Sequence, residues 1–329
     1  MADVMYRTLG RSGIQVSAMG LGCWAIGGSG WGEVDDDESV RAIYRGLEMG
    51  ATLIDTADVY GPERSERVIA RALEGGRRQN VVIATKFGNV YDRERWPNER
   101  GTSPDYIRWA CEQSLRRLNT DYIDLYQFHI NEYDPTQVSD AIATLEALVT
   151  EGKIRTYGWS TDFPESVKVF AQGENCSAIQ VEENVIDDNP AVLALCEQYN
   201  LAALNRGPLA MGILTGKYRL DTALPENDVR GPNAPDWMKY FKDGKPNPEW
   251  LSKMEAVREI LTSEGRTLAQ GALAWLWARS DKTLPIPGFR NVAQVEENVS
   301  AMRFGPLKSD QMREIETILG RQPSSKTVA

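Results

Sequence analysis

Short runs of apolar and β-branched residues alternate with amphipathic stretches along most of the chain. The strand-like runs are SAMGLGCW at 17–24, TLIDTA at 52–57, VVIATK at 81–86 and YIDLYQFH at 122–129, followed by IRTYGWS at 154–160, AIQV at 178–181, LAALNR at 201–206 and LPIP at 284–287. Helical periodicity fills the intervals at 38–48, 65–73, 104–118, 135–151, 164–171 and 190–199, in a tryptophan-containing pair around 250–278, and at 292–302. Several helix starts are punctuated. Ser103-Pro104-Asp105 offers an N-cap hydroxyl, a preset φ and an early carboxylate, and Asp134-Pro135 and Asn189-Pro190 repeat the device.

Strands alternating with helices at this spacing predict a parallel sheet. Eight such units without a linker predict an α/β fold, a (β/α)8 TIM barrel forming a single domain over 1–329. The segment YRTLGRSGIQVSAMG at 6–20 predicts a β-hairpin turning at Arg11-Ser12-Gly13, an N-terminal plug for one end of the barrel. Two segments exceed ordinary connectors: 88–103, and 217–250 with Pro225, Pro232, Pro235, Pro246 and Pro248 among Trp237, Tyr240, Phe241 and Trp250. Both follow strands, so they are expected as long loops on the C-terminal face. There, with Trp24 and Trp96, they would wall a substrate pocket.

Composition narrows the chemistry. Lys plus Arg number 37 against 47 Asp plus Glu, a net charge of −10 with no basic cluster, which argues against nucleic acid and membrane partners. No apolar run approaches the ~18 to 20 residues of a spanning helix, and MADVMYRTLG lacks a signal-peptide pattern. The four cysteines are dispersed and there is one histidine, so no metal site is expected and a cytoplasmic location is. Acid–base chemistry must then rest on carboxylates, lysine, tyrosine and His129. No pattern specifies an oligomeric state.

Four candidates fall at successive strand ends. Asp55 closes the second strand with Tyr60 just beyond it, Lys86 closes the third, and His129 closes the fourth. In a barrel, all four converge on one rim. A free tyrosine, with a pKa of ~10, is a poor acid at neutral pH. A neighbouring ammonium favours the phenolate, and a carboxylate keeps that lysine charged and in place. An Asp–Lys–Tyr chain with a neutral imidazole suits protonation of a carbonyl oxygen while another agent delivers hydride.

The chain resembles the aldo-keto reductase superfamily over nearly its whole length. The matching marks are Asp-Thr-Ala-x-x-Tyr at 55–60, Lys86, SLRRLNTDYIDLYQFH at 114–129, GWSTDF at 158–163, QVEEN at 180–184, GPLAMGILTGKY at 207–218 and PIPGFRNVAQVEEN at 285–298. It is most similar to the bacterial branch that also resembles potassium-channel β-subunits. The resemblance implies NADPH-dependent reduction of small-molecule aldehydes or ketones. Tyr60 would be the general acid, Lys86 and Asp55 its tuners, and His129 the group orienting the carbonyl. It also implies an NADP(H) site. Trp24 and Asp55 would lie at the nicotinamide, with Ser160 and Gln180 on the carboxamide. Pro208, Leu209, Gly212 and Lys217 would follow the diphosphate and ribose, and Gly288, Arg290, Gln294, Glu297 and Asn298 the adenosine end. The channel-subunit likeness implies an alternative, a cofactor-binding redox sensor or partner subunit with little turnover.

Three positions depart from the family pattern. Ser160-Thr161 replaces the usual Ser-Asn, Glu183-Asn184 the usual Tyr-Asn, and Arg206 the aromatic residue expected to stack on nicotinamide. A guanidinium can stack on a planar ring but repels an oxidised, cationic one. Arg206 is therefore expected to favour the reduced cofactor or to contact its diphosphate. Two local patterns are decoys. Gly20-Leu-Gly22 resembles a dinucleotide fingerprint but is followed by a glycine-rich loop, and 34–38 (VDDDE) reads as an acid-rich helix start.

Overall fold

A computed structural model describes residues 4–321. The chain opens with β1 (Tyr6–Thr8) and β2 (Gln15–Ser17), an antiparallel hairpin in which Tyr6 faces Ser17 and Thr8 faces Gln15. Strand β3 (Gly20–Gly22) leads to α1 (Asp36–Glu48), β4 (Leu53–Asp55) to α2 (Arg64–Ala72), and β5 (Val82–Phe87) to α3 (Pro104–Leu118). Then come β6 (Ile123–Phe128) and α4 (Ser139–Thr150), β7 (Ile154–Ser160) and α5 (Pro164–Phe170), β8 (Cys176–Glu182) and α6 (Pro190–Gln198). The last part comprises β9 (Ala202–Arg206), a small hairpin of β10 (Phe241–Lys242) and β11 (Lys245–Pro246), α7 (Pro248–Thr262), α8 (Leu268–Arg279), β12 (Thr283–Pro285), α9 (Val292–Ser300) and α10 (Ser309–Ile318).

Eight strands pair in parallel in the order β12-β9-β8-β7-β6-β5-β4-β3. A bridge between Gly22 and Gly288, with the Gly22 N–H donating to the Pro287 carbonyl at 3.0 Å, joins the two ends into a (β/α)8 barrel. Glycine is needed at this seam, because a Cβ on Gly22 would stand 2.5 Å from the Ile286 carbonyl oxygen.

The strands' period of two sorts their side chains between two cores. Inside the barrel, Leu53, Val82, Ala84, Leu125, Ala178, Ala202, Leu204 and Leu284 pack together, and Leu9, Ile14 and Val16 of the hairpin fill one end. Outside, Ile54, Ile83, Phe87, Ile179 and Ala203 meet the helices. The hairpin is therefore a plug, as its sequence predicts.

Helix caps follow the predicted punctuation. The Ser103 hydroxyl accepts from the Tyr106 N–H, Asn189 from Val192, and Asp35 from Asp37 and Glu38, so the acid-rich segment is a helix start. Two differences have local causes. The expected helix 135–151 is broken: Asp134 caps a short 3-10 turn at Pro135–Gln137, and Val138 leaves helical geometry before α4 begins. Helix α10 was not expected, since only Met312 and Ile315 of its hydrophobic side chains are buried. Among the described residues no helix is long and apolar enough to cross a membrane, and no His, Cys, Asp and Glu cluster could hold a metal ion.

Candidate active site

The alternation that buries Leu53, Val82 and Leu125 also fixes the next inward positions toward the C-terminal rim. These are Asp55, Lys86 and Gln127, with Gln180 on β8. Strand register sets Lys86 beside Gln127, while Asp55 pairs with Ala84, two residues before Lys86, and Gln180 with Ser160. The fully buried Lys86 Nζ donates to Asp55 Oδ1 at 2.7 Å, to the Thr56 carbonyl at 2.7 Å and to Tyr60 Oη at 3.2 Å. A lysine ammonium has three N–H groups, and all three are used. The other Asp55 oxygen accepts from Gln180 Nε2 at 2.7 Å and Gln127 Nε2 at 3.3 Å.

Tyr60 lies on the turn after β4. That turn packs backbone to backbone on the 3-10 turn Ala25–Gly27, so closely that a Cβ on Gly61 would stand 1.7 Å from the Gly27 carbonyl oxygen. The glycine pair brings Tyr60 beside Trp24, their ring centroids 6.2 Å apart. His129, one residue past β6, stands edge-on to Tyr60 at 5.8 Å. Its backbone N–H donates to the Phe87 carbonyl at 2.8 Å, and its Nδ1 has no partner among the described residues.

Burial pushes the His129 imidazole well below its ordinary pKa, with Lys86 and Arg206 acting in the same direction, so the ring is neutral. Burial alone would lower the Lys86 pKa, but the neighbouring Asp55 and Tyr60 reverse the sign and hold the ammonium charged. The Tyr60 pKa moves upward, because burial outweighs the pull of Lys86. This reverses the sequence-based expectation of a favoured phenolate. The phenol keeps its proton, and since Oη accepts from Lys86, the O–H is free to donate elsewhere.

Trp24 packs on Trp31 at 5.1 Å and Trp237 at 6.1 Å, forming an aromatic wall beside Tyr60. Trp96 does not join them. It packs against Tyr106 and Trp109 of α3, because 88–103 folds back onto that helix. Gln180 turns its amide N–H toward Asp55 and Gln127. Arg206 is likewise engaged: its guanidinium pairs with Asp162 and, at 3.1 Å, with Glu182. Two carboxylates thus compensate the cation that was expected to repel an oxidised nicotinamide.

A second group gathers beyond β9 and β12. The loop after β9 carries Pro208, Leu209 and a 3-10 segment with left-handed Ala210, Met211 and Gly212. Lys217 follows, its pKa lowered by desolvation and by Arg230 and Arg290 nearby. Arg230 grips Asp228 through two 2.7 Å bonds and donates to Tyr218 Oη at 2.6 Å and the Met211 carbonyl at 3.0 Å. From α9, Gln294 Oε1 accepts the Arg290 N–H at 2.8 Å and Asn298 Nδ2 reaches the Gly288 carbonyl at 3.5 Å, while half-buried Glu297 bonds Gln270 through its carbonyl. Segment 217–250 crosses to the loop after β3 through Val229 N–H to the Gly30 carbonyl at 2.6 Å, and Arg290 reaches the Glu33 carbonyl at 2.8 Å. Lys217, Arg230 and Arg290 around Asp228 leave a cationic surplus at loops after the last two barrel strands, where barrels commonly bind phosphate. This surplus fits the phosphates of a dinucleotide. Arg230 was not foreseen; it lies thirteen residues past Lys217 in a stretch without periodicity.

Residues 18–319 match the model of the aldo/keto reductase family. The chain is 33% identical over 296 residues to the aldo-keto reductase yakc [NADP(+)] of Schizosaccharomyces pombe, covering 88% of this chain and 84% of that protein. Among solved structures, the glycerol dehydrogenase AKR11B4 of Gluconobacter oxydans superposes with a TM-score of 0.79 at 32% identity, covering 96% of this chain and 95% of that one. The holo form of aldo-keto reductase AKR11C1 from Bacillus halodurans gives 0.76 at 28% identity, covering 99% and 100%.

Proposed function

The chain belongs to the aldo/keto reductase family, and from that premise we propose that it reduces aldehydes or ketones with NADPH, Tyr60 donating the proton. The observation that carries this reading is the threefold bonding of the buried Lys86, which leaves the Tyr60 O–H as the free donor beside a neutral imidazole.

Bound NADPH supplies the hydride. Trp24, Ser160 and Gln180 would hold its nicotinamide end, with Asp55 close by. Pro208, Leu209, Gly212, Lys217 and Arg230 would hold its diphosphate and ribose, and Gly288, Arg290, Gln294, Glu297 and Asn298 its adenosine end. The chain's own work is to orient and protonate. The substrate carbonyl oxygen docks against the Tyr60 O–H and the His129 ring, with Trp24, Trp31 and Trp237 limiting water. Tyr60 passes its proton to that oxygen. The phenolate left behind is compensated at once by Lys86, already 3.2 Å away and held by Asp55. Gln127 and Gln180 keep the Asp55 carboxylate in place.

Tyr60→Phe removes the proton but keeps the ring. NADPH consumption with small aldehydes is expected to fall by roughly 10²- to 10⁴-fold, while cofactor binding, followed by tryptophan fluorescence, persists. Undiminished turnover in the variant overturns the proposal. Tight binding by the wild type without turnover of any carbonyl favours the redox-sensing subunit instead.

A further inference from the structure

A cavity of about 240 Å³ opens on the C-terminal rim, lined by Val59, Gly88, Ile130, Arg93 and Arg100 among others. Val59 precedes Tyr60, Gly88 lies two residues past Lys86, and Ile130 follows His129, so this space borders the backbone segments that carry the three side chains. Asn89 ties the two together, its Nδ2 donating to the His129 carbonyl at 3.0 Å. We infer that the cavity is an anion-accepting subsite, and that the preferred substrates are short carbonyl compounds bearing a carboxylate or phosphate. The inference rests on the carbonyl-reductase reading above.

Three observations support it. First, in a chain where acids outnumber bases 47 to 37, Arg93 and Arg100 face one cavity and neither forms an ion pair among the described residues. Second, their loop is pre-organised. Glu99 Oε1 accepts the backbone N–H groups of Arg100, Gly101, Thr102 and Ser103 at 2.7–3.2 Å, and Arg93 Nη1 donates to the Glu99 carbonyl at 2.8 Å. Gly101 packs on Gly88 so closely that a Cβ would meet the Gly88 carbonyl oxygen at 2.4 Å. The backbone that carries both arginines is thus fixed and the Arg93 guanidinium is tied to the Glu99 carbonyl, which lowers the cost of capturing an anion. Third, two of the loop's three acids are engaged by its own backbone, Asp92 Oδ1 accepting the Arg95 N–H at 3.0 Å and Glu99 Oε1 the Arg100 N–H at 2.9 Å, which leaves Glu94 as the third. Desolvation and Glu66 raise the pKa of nearby buried Asp58 well above the carboxylate range, and Glu66 is paired with Arg117 at 2.6 Å. A guanidinium fork suits carboxylate and phosphate alike. The volume, below the roughly 300–1,000 Å³ typical of drug-sized ligands, points to a small substrate.

The test compares kcat/KM for succinic semialdehyde against its uncharged amide, and for glyceraldehyde 3-phosphate against glyceraldehyde. Both pairs are run with the wild type and with R93Q/R100Q. The wild type is expected to favour the anionic member of at least one pair by about tenfold or more, through KM, and the favoured pair identifies the anion. In the double variant that ratio falls toward one, and R100E inverts it. High salt weakens the wild-type preference, because both arginines are exposed. A wild-type ratio near one in both pairs, or a ratio unchanged in the double variant, overturns the subsite. If neutral aldehydes are still reduced in a Tyr60-dependent way, the subsite alone has failed. Absence of any carbonyl reduction removes the reading beneath it.

Discussion

At the scale of single residues, the buried charges divide into those with complete partners and those without. Lys86 has three acceptors, whereas both Asp58 oxygens lack a partner among the described residues. Burial and the nearby Glu66 push the Asp58 pKa well above the carboxylate range. A folded pKa above the unfolded value of about 3.9 means that Asp58 adds stability at pH below ~4 and loses that contribution as pH rises. Asp58→Asn is therefore expected to raise Tm at pH 7–8, by about 2 °C or more, and to gain less at pH 4, read by differential scanning fluorimetry. Asp55, Lys86 and His129 were legible in sequence because each lies within one residue of a strand's C-terminal end. Gln127 could have been found by the same alternation, since it precedes His129 by two. Arg206 could not be read fully: its partners Asp162 and Glu182 come from the ends of two other strands.

At the scale of elements, period-two strands and capped helices were readable because neighbouring residues set them. What escaped depends on contacts distant in sequence. The barrel seam is one case. Gly22 looked like part of a nucleotide fingerprint, but its role is to let β3 approach the backbone after β12. Gly22→Ala is expected to cost about 1–3 kcal/mol in urea unfolding, because its Cβ would overlap the Ile286 carbonyl. An unchanged midpoint would show that the seam tolerates separation. Helix α10 escaped for a related reason: its few buried side chains gain their environment from α7 and α8, not from a local pattern.

At the scale of the molecule, a net charge of −10 opposes phosphate binding unless cations concentrate locally. Lys217, Arg230 and Arg290 do so over segments far apart in sequence. Arg230→Met is expected to weaken NADPH binding about tenfold, with a shallower salt dependence. Titration by tryptophan fluorescence checks this, and an unchanged Kd would remove Arg230 from the cofactor site. Either Tyr60 or His129 could give the proton to the carbonyl oxygen, and pH separates them. The pKa of Tyr60 is shifted up and that of His129 well down, so only the phenol is protonated through neutral pH. The most direct measurement is kcat/KM for aldehyde reduction from pH 5.5 to 11, which reports the free enzyme's ionisations. A profile level through pH 9 and falling only above ~10 is predicted. A profile that falls as pH rises through 6 to 7 would assign the proton to His129 and contradict the account.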